Sequence, residues 1–110
     1  MRDPVHSMDN ASAVSAFSAL AELLRSRRQG EILAAILADP DEEFPMSALA
    51  RTLRIPYSSV HREVERAERF GIVTSRRFEN LRLVRANVGH PHYATVRRLV
   101  APRTGDTSRE

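Results

Sequence analysis

Residues 47–73 of the chain read SALARTLRIPYSSVHREVERAERFGIV, and this stretch decides the fold. Its first part, residues 47–53, consists of good helix formers with apolar residues at helical spacing and predicts a short helix. Residues 54–56 interrupt that pattern. Because proline is tolerated in a first helical turn, a second helix is predicted over residues 56–70. Gly71 closes this helix, since glycine accepts the left-handed conformation at a helix end. The inward positions of the second helix are Val60, Val64, Ala67 and Phe70.

Two extended runs follow the second helix, over residues 72–78 and 81–86, and predict a β-hairpin. Glu79 and Asn80 separate the runs, and asparagine is the better of the two at a positive φ angle. The alternation of polar and apolar residues is imperfect in the second run, where two apolar residues are adjacent, Leu83 and Val84. The pairing register of the hairpin and the choice of outward-facing arginines are therefore left open.

Further helices are predicted on both sides of this unit. A helix from Ser12 to about Ser26 carries an apolar stripe, and the next helix opens at Ser26 or Gln29. That helix ends before Pro40, because proline disfavours a helical residue before it. A last helix is predicted to end at Pro102. Each of these three helices has an apolar stripe. In chain order the stripes are Val14, Phe17, Leu20, Ala21 and Leu24, then Ile32, Leu33, Ile36 and Leu37, and finally Tyr93, Val96, Leu99 and Val100.

The predicted order of elements is helix, helix, a short strand, helix, turn, helix, hairpin and helix. Two short helices joined by a tight turn form the arrangement that places a recognition helix in a DNA major groove, and the hairpin is then a wing. The expected fold class is mainly α with a small β-hairpin wing, a winged helix-turn-helix with a three-helix core plus N- and C-terminal helices. We expect this domain over residues 11–102, between flexible tails at residues 1–10 and 103–110.

Length and composition restrict the class of protein. The 110 residues suffice for one small domain, and 42% hydrophobic with 28% charged residues is ordinary globular usage. The longest apolar run, residues 32–38, is seven residues long. A membrane helix needs roughly 20. The chain has no cysteine, and its N-terminus lacks the basic-then-apolar order of a secretory signal. A cytoplasmic protein without a thiolate metal site is expected.

Charge is unevenly distributed along the chain. All 17 basic residues are arginine. Residues 51–85 hold nine arginines against four glutamates, whereas residues 1–50 hold four arginines against eight acidic residues. A concentrated positive field of this kind is expected where a polyanion docks. The alternative is a set of charged helix faces that are simply solvated.

The stretch quoted above resembles the winged helix-turn-helix of bacterial transcriptional regulators, first the ArsR-like group and second the MarR-like group. Residues 27–37 resemble the helix that precedes this unit in ArsR-like proteins, so the resemblance covers roughly residues 26–86. The matching features are the Leu-Ala pair at Leu49 and Ala50, Ser-Ser-Val at Ser58 to Val60, Val64, and Phe-Gly-Ile-Val from Phe70 to Val73.

The resemblance implies a sequence-specific regulator of transcription that binds double-stranded DNA and is expected to be a repressor. Helix 56–70 would enter the major groove, and the wing, residues 73–86, would lie on the minor groove or the backbone. A homodimer is expected through residues 12–26 and 92–101, because one small winged helix makes few base contacts and these segments carry surplus apolar surface.

The chain departs from the family pattern in two respects. The turn between the two helices often holds glycine in these families, whereas this chain has Arg54. Arg54 therefore either adopts a left-handed conformation, at a cost of roughly 1 kcal/mol, or the turn differs. ArsR-like metal sensors commonly use cysteines, which are absent here, so an arsenic or cadmium sensor is not expected.

The polar residues at the start of helix 56–70 are the first candidates for DNA contact. Base contact is assigned to Ser59, His61 and Arg62, which match the family positions that enter the major groove; an arginine can make two hydrogen bonds to guanine. Tyr57 and Ser58 are assigned to phosphates. The alternative is an exposed helix face on which neighbouring charges pair for a few tenths of a kcal/mol each.

Six more arginines complete the candidate interface. Arg66 lies one turn beyond Arg62 on the same side of the helix. Arg51 and Arg54, near the turn, are assigned to phosphates. The arginines of the wing suit the negative potential of a narrow minor groove, with ordinary strand solubility as the alternative; they are Arg76, Arg77 and Arg82.

Metal, cofactor and catalytic sites are not expected. His90 and His92 could meet one ion from an extended segment, but no third ligand is evident nearby, so a surface linker is the preferred interpretation. There is no glycine-rich phosphate loop and no spacing that suggests a Ser–His–acid arrangement, so no enzyme is predicted. The alternative function keeps the fold but makes it a protein interaction module or the DNA-binding subunit of a larger assembly.

Overall fold

A computed structural model describes residues 18 and 20–101 of the chain. Residues 18 and 20–23 are helical. After them come the helices α1 (Arg27–Leu37), α2 (Met46–Leu53), α3 (Tyr57–Phe70) and α4 (Tyr93–Val100). The strands β1 (Phe44–Pro45), β2 (Val73–Phe78) and β3 (Leu81–Ala86) form an antiparallel sheet in the order β1-β3-β2. This is the predicted order of elements. The predicted tails lie outside the described residues, as do residues 12–17 and 19 of the helix predicted from Ser12 to about Ser26; the described part of that helix ends at Leu23.

The helix ends follow the predicted signals, with small differences. Ser26 is the N-cap of α1, where its hydroxyl accepts a hydrogen bond from the Gln29 N–H at 3.1 Å. This decides between the two predicted starts in favour of Ser26. Pro56 precedes α3 as its N-cap instead of forming its first residue. Gly71 ends α3 in the left-handed conformation, with a φ of 98°, as predicted.

The hydrophobic core lies between α1, α3 and the sheet. Burying one aliphatic side chain of this kind contributes roughly 1.5–3 kcal/mol. One side of α3 is thereby held against α1, and the other side stays available to solvent. The fully buried residues of these elements include Ile32, Leu33, Ile36, Leu37, Val60, Val64, Val73 and Val84, and Ile72 between α3 and β2 is fully buried as well.

Two polar side chains are buried beside these apolar residues. Gln29, in the first turn of α1, is fully buried, and both polar atoms of its amide lack a hydrogen-bond partner within the described residues. Glu63 of α3 is 5% exposed, and its Oε1 likewise has no hydrogen-bond partner there. An unpaired buried polar group costs about 1–3 kcal/mol.

The sheet explains why the second hairpin run does not alternate cleanly. β3 is the central strand because it pairs with both β1 and β2, and α1 and α2 also contact it. Leu83 and Val84 point to opposite faces and are both buried. The register that the sequence leaves open pairs Phe78 with Leu81 beside the turn. Glu79, and not the expected Asn80, takes the positive φ angle, at 56°.

The described helices are short. Within residues 18 and 20–101, none has the length and apolar character needed to cross a bilayer.

Candidate nucleic-acid interface

The exposed edge of α3 begins at its first residue. Tyr57 is 49% exposed, and Ser58 beside it is also exposed. One turn further on, His61 is half-buried, and the side chain of Arg62 is 63% exposed. The rings of Tyr57 and His61 lie 6.2 Å apart between centroids. We call these four residues the reading edge; the structure brings them together on one side of α3, away from the core.

Ser59 does not belong to the reading edge. It is 6% exposed, and its hydroxyl accepts a hydrogen bond from Arg28 Nη1 of α1 at 2.9 Å. This geometry does not support the assignment of Ser59 to a DNA base, because the side chain faces α1 and already accepts a hydrogen bond there. The signal in the sequence is the spacing of Ser59, Glu63 and Ala67, which share one helical stripe and are all buried. The buried face of α3 is thus wider than its apolar residues alone indicate.

Glu63 places a buried negative charge beneath two arginines of α3. Its Oε2 lies 3.9 Å from Arg62 Nε, and its Oε1 lies 4.0 Å from Arg66 Nε. These distances are too long for hydrogen bonds, so the attraction is Coulombic. Both arginines keep their donor groups for another acceptor. On the reading edge itself, His61 Nδ1 lies 3.8 Å from the Glu65 carboxylate.

The turn between α2 and α3 carries two exposed arginines. Arg54 has φ 59° and ψ 44°, and its N–H lies within 3.4 Å of the Arg51 carbonyl at the end of α2. Of the two alternatives left by the sequence, the turn thus takes the left-handed one, with an arginine at the left-handed position. Arg51 and Arg54 are both exposed, and neither has an ion pair among the described residues.

Arg76 of the wing is already bound to a carboxylate. Its Nε and Nη2 each donate to Glu43 at 2.7 Å, a two-pronged pair. These hydrogen bonds lower the pKa of the Glu43 carboxyl and raise the pKa of Arg76. Glu43 directly precedes β1, and Arg76 lies in β2. Because β1 and β2 are on opposite sides of β3, the pair links the two outer strands of the sheet. Arg76 is consequently less available to DNA than predicted.

Arg82 of the wing is also engaged, in a polar triangle with α3. Its Nη2 donates to Glu68 Oε1 at 3.1 Å, and its Nε donates to Ser75 Oγ at 3.0 Å. The Ser75 hydroxyl in turn donates to Glu68 Oε2 at 2.6 Å. The triangle ties the hairpin to the last turn of α3. Arg82 therefore holds the wing in position.

Of the three wing arginines predicted to contact DNA, Arg77 is the one that has no ion pair among the described residues. It is exposed and pairs across the hairpin with Arg82, and it has no ion pair within residues 18 and 20–101. Two exposed apolar side chains, Phe78 and Leu81, follow it at the tip of the wing. A cation next to a small apolar tip is well suited to a DNA groove, where both phosphates and sugars are offered.

The His-Pro-His segment has a structural role. His92 N–H donates to His90 Nδ1 at 3.0 Å, so Nε2 carries the ring proton and donates to the Phe70 carbonyl at 3.1 Å. Asn87 Nδ2 donates to the next carbonyl, that of Gly71, at 2.8 Å. These bonds satisfy carbonyl groups at the end of α3. The described part of the chain contains no cluster of three or more metal-ligand residues.

Comparison with known proteins finds similarity in structure. No protein-family model matches the chain, and no curated protein matches it. The homodimeric winged helix-turn-helix DNA-binding domain of Mb0332 from Mycobacterium bovis, a possible ArsR-family transcriptional regulator, is 16% identical, with a TM-score of 0.65. The similarity covers 91% of this chain and 85% of that one.

Two repressors are similar to the same extent. The transcriptional repressor BigR from Xylella fastidiosa is 17% identical over 90% of this chain and 90% of its own, with a TM-score of 0.63. The antimony-specific transcriptional repressor AntR is 17% identical over 99% of this chain and 91% of its own, with a TM-score of 0.67. At 16–17% identity such similarity concerns the fold. Together with the geometry above, it confirms the predicted architecture: this chain has the winged helix-turn-helix fold.

Proposed function

We propose that the protein binds double-stranded DNA and regulates transcription, with α3 in the major groove and the wing on the minor groove or the backbone. The observation that carries this proposal is the reading edge of α3, which is exposed while the rest of the helix is held by the core. His61 and Arg62 are assigned to bases, and Tyr57 and Ser58 to phosphates. Arg66, with a third of its side chain exposed, extends the edge by one turn.

Exposed arginines that have no ion pair among the described residues would follow the DNA backbone. Arg51 and Arg54 lie beside the turn that leads into α3, and Arg77 lies on the wing. Arg76 pairs with Glu43 and Arg82 pairs with Glu68, so these two arginines stabilise the position of the wing. The concentrated charge of residues 51–85 supports a polyanion as the partner. Such a regulator would act by binding and without catalysis, and in the cytoplasm of a bacterium.

The salt dependence of binding tests this proposal. Because bound arginines release counterions from DNA, affinity for DNA taken from upstream of the protein's own gene should fall about 10³-fold or more between 50 and 200 mM salt. Fluorescence anisotropy with a labelled duplex measures this slope. A protein interaction module, in contrast, would show no binding to the duplex, and its apolar contacts with a protein partner would barely respond to salt.

A homodimer through residues 12–26 and 92–101 is the second part of the proposal. Leu99 of α4 is 60% exposed, and Val100 follows it. Both line a groove of about 420 Å³ with residues 24–27. The homodimeric state of the Mb0332 domain supports the same arrangement. The part of the first segment before residue 18 lies outside the described residues.

Sedimentation velocity measures the oligomeric state. At micromolar concentration we expect the mass of two chains, and Leu99→Glu should shift the protein to the mass of one chain, because it places a charge in the apolar contact. Circular dichroism of the variant controls for folding, and Val88→Glu is the matched control, because Val88 is 59% exposed and lies outside both segments. A wild-type protein that sediments as a monomer would contradict this part of the proposal.

A further inference from the structure

Arg28 is a residue of α1 whose charged side chain contacts the first turn of α3. Its Nη1 donates to Ser59 Oγ at 2.9 Å, across 31 positions of sequence. Ser59 is buried, whereas Arg28 is exposed. No carboxylate lies within 4.0 Å of Arg28 in the part of the chain that the structure describes. The guanidinium therefore stands at the surface next to α3, held there by a neutral acceptor.

This bond leaves most of the guanidinium unused. Arginine has five N–H donors, and the described residues offer Arg28 a side-chain acceptor for one of them. Ser59 lies next to Ser58 and one helical turn before Arg62, both of the reading edge. The free donors of Arg28 are thus beside the reading edge and extend it onto α1.

We propose that Arg28 is a DNA-backbone contact that Ser59 holds in position for one phosphate. This inference rests on the proposed DNA-binding function and adds a residue outside the two helices and the wing to which sequence reasoning assigned the contacts. When α3 enters a major groove, the groups that flank its first turn meet the sugar–phosphate wall of that groove. A guanidinium matches phosphate geometry with two parallel hydrogen bonds.

Ser59 acts in this arrangement as a positioning residue. A free arginine side chain loses much of its rotamer freedom when it binds a phosphate, and that loss weakens binding. The Ser59 hydroxyl restricts the side chain before DNA arrives, so less freedom is lost on binding. It also accepts a hydrogen bond without neutralising the charge, unlike the carboxylates that hold Arg76 and Arg82.

The test measures the affinity for a duplex at several salt concentrations for Arg28→Gln, Arg28→Lys and Ser59→Ala. Arg28→Gln should lower the slope of log affinity against log salt by about one, equally on cognate and random DNA. Arg28→Lys keeps the charge and should keep the slope. Ser59→Ala should weaken binding about two- to tenfold with the slope unchanged, since the charge remains but is no longer held.

Arg27→Gln is the matched control. Arg27 precedes Arg28 in the same helical turn, its side chain is 93% exposed, and it pairs with Glu31 of its own helix. Its removal should leave the slope unchanged. Equal changes for Arg27→Gln and Arg28→Gln would overturn the proposal, because Arg28 would then act only through general charge.

Thermal unfolding of each variant separates a DNA contact from a link between helices. An unchanged slope for Arg28→Gln with a lowered Tm would mean that Arg28 merely ties α1 to α3, and would also overturn the inference. A wild-type protein that binds no duplex would instead remove the proposed function itself, and the Arg28 contact with it. The failures of the two proposals are thus distinguishable.

Discussion

Arg62→Ala is expected to cost about 1–3 kcal/mol of binding free energy on the cognate DNA site and much less on random DNA. The reason is the position of this side chain on the reading edge, where it is 63% exposed and has only a long contact to Glu63, at 3.9 Å. A base contact contributes only where the right base is present. Competition titrations against random duplex measure both affinities in one experiment.

Arg77→Ala is the matched control for that result. Arg77 lies on the wing and has no ion pair within the described residues, so its removal should weaken both kinds of DNA alike and lower the salt slope by about one. Arg62→Ala should therefore reduce the preference for cognate over random DNA, whereas Arg77→Ala should leave that preference unchanged. Equal losses for Arg62→Ala on cognate and random DNA would mean that Arg62 holds a phosphate, with discrimination left to His61 or to the shape of the duplex.

The order of elements could be predicted because each one is signalled locally. Apolar residues recur at helical spacing in α1, α3 and α4, and glycine marks the end of α3. A two-residue separation between extended runs was enough for the hairpin, whose second strand has the predicted bounds. These signals depend on neighbours in the sequence, so they can be interpreted without knowing the fold.

The details of the interface depend on partners that are distant in sequence. The pairs Arg76–Glu43 and Arg28–Ser59 join positions 33 and 31 residues apart, and no local pattern announces them. The burial of Gln29 runs against the usual preference of such a side chain, and an unpaired buried amide is uncommon. The sequence therefore identifies the helix that carries the reading edge, and the packing decides which of its polar residues belong to it.

Gly71 is the residue on which the relation of α3 to the wing depends most directly. It has a φ of 98°, a conformation that residues with a side chain rarely adopt. A Cβ at this position would lie 3.0 Å from His90 Cδ2, closer than such contacts normally come. The neighbouring imidazole cannot move away freely, because both of its nitrogens are hydrogen-bonded.

Gly71→Ala should therefore lower the free energy of unfolding by about 1–3 kcal/mol, through backbone strain and displacement of His90. Urea unfolding followed by circular dichroism measures the change. Gly30→Ala is the matched control: Gly30 is inside α1, and beyond its own helical turn no atom of the described residues lies within 4 Å of the added Cβ, so the same substitution should stabilise by about 0.5–1 kcal/mol. The two variants should change the free energy of unfolding in opposite directions, because the added methyl group is the same and only the backbone conformation and the neighbouring ring differ. If both variants were stabilised, the strain at Gly71 would be refuted; if His90→Ala restored part of the loss in Gly71→Ala, the contact with the ring would account for that part.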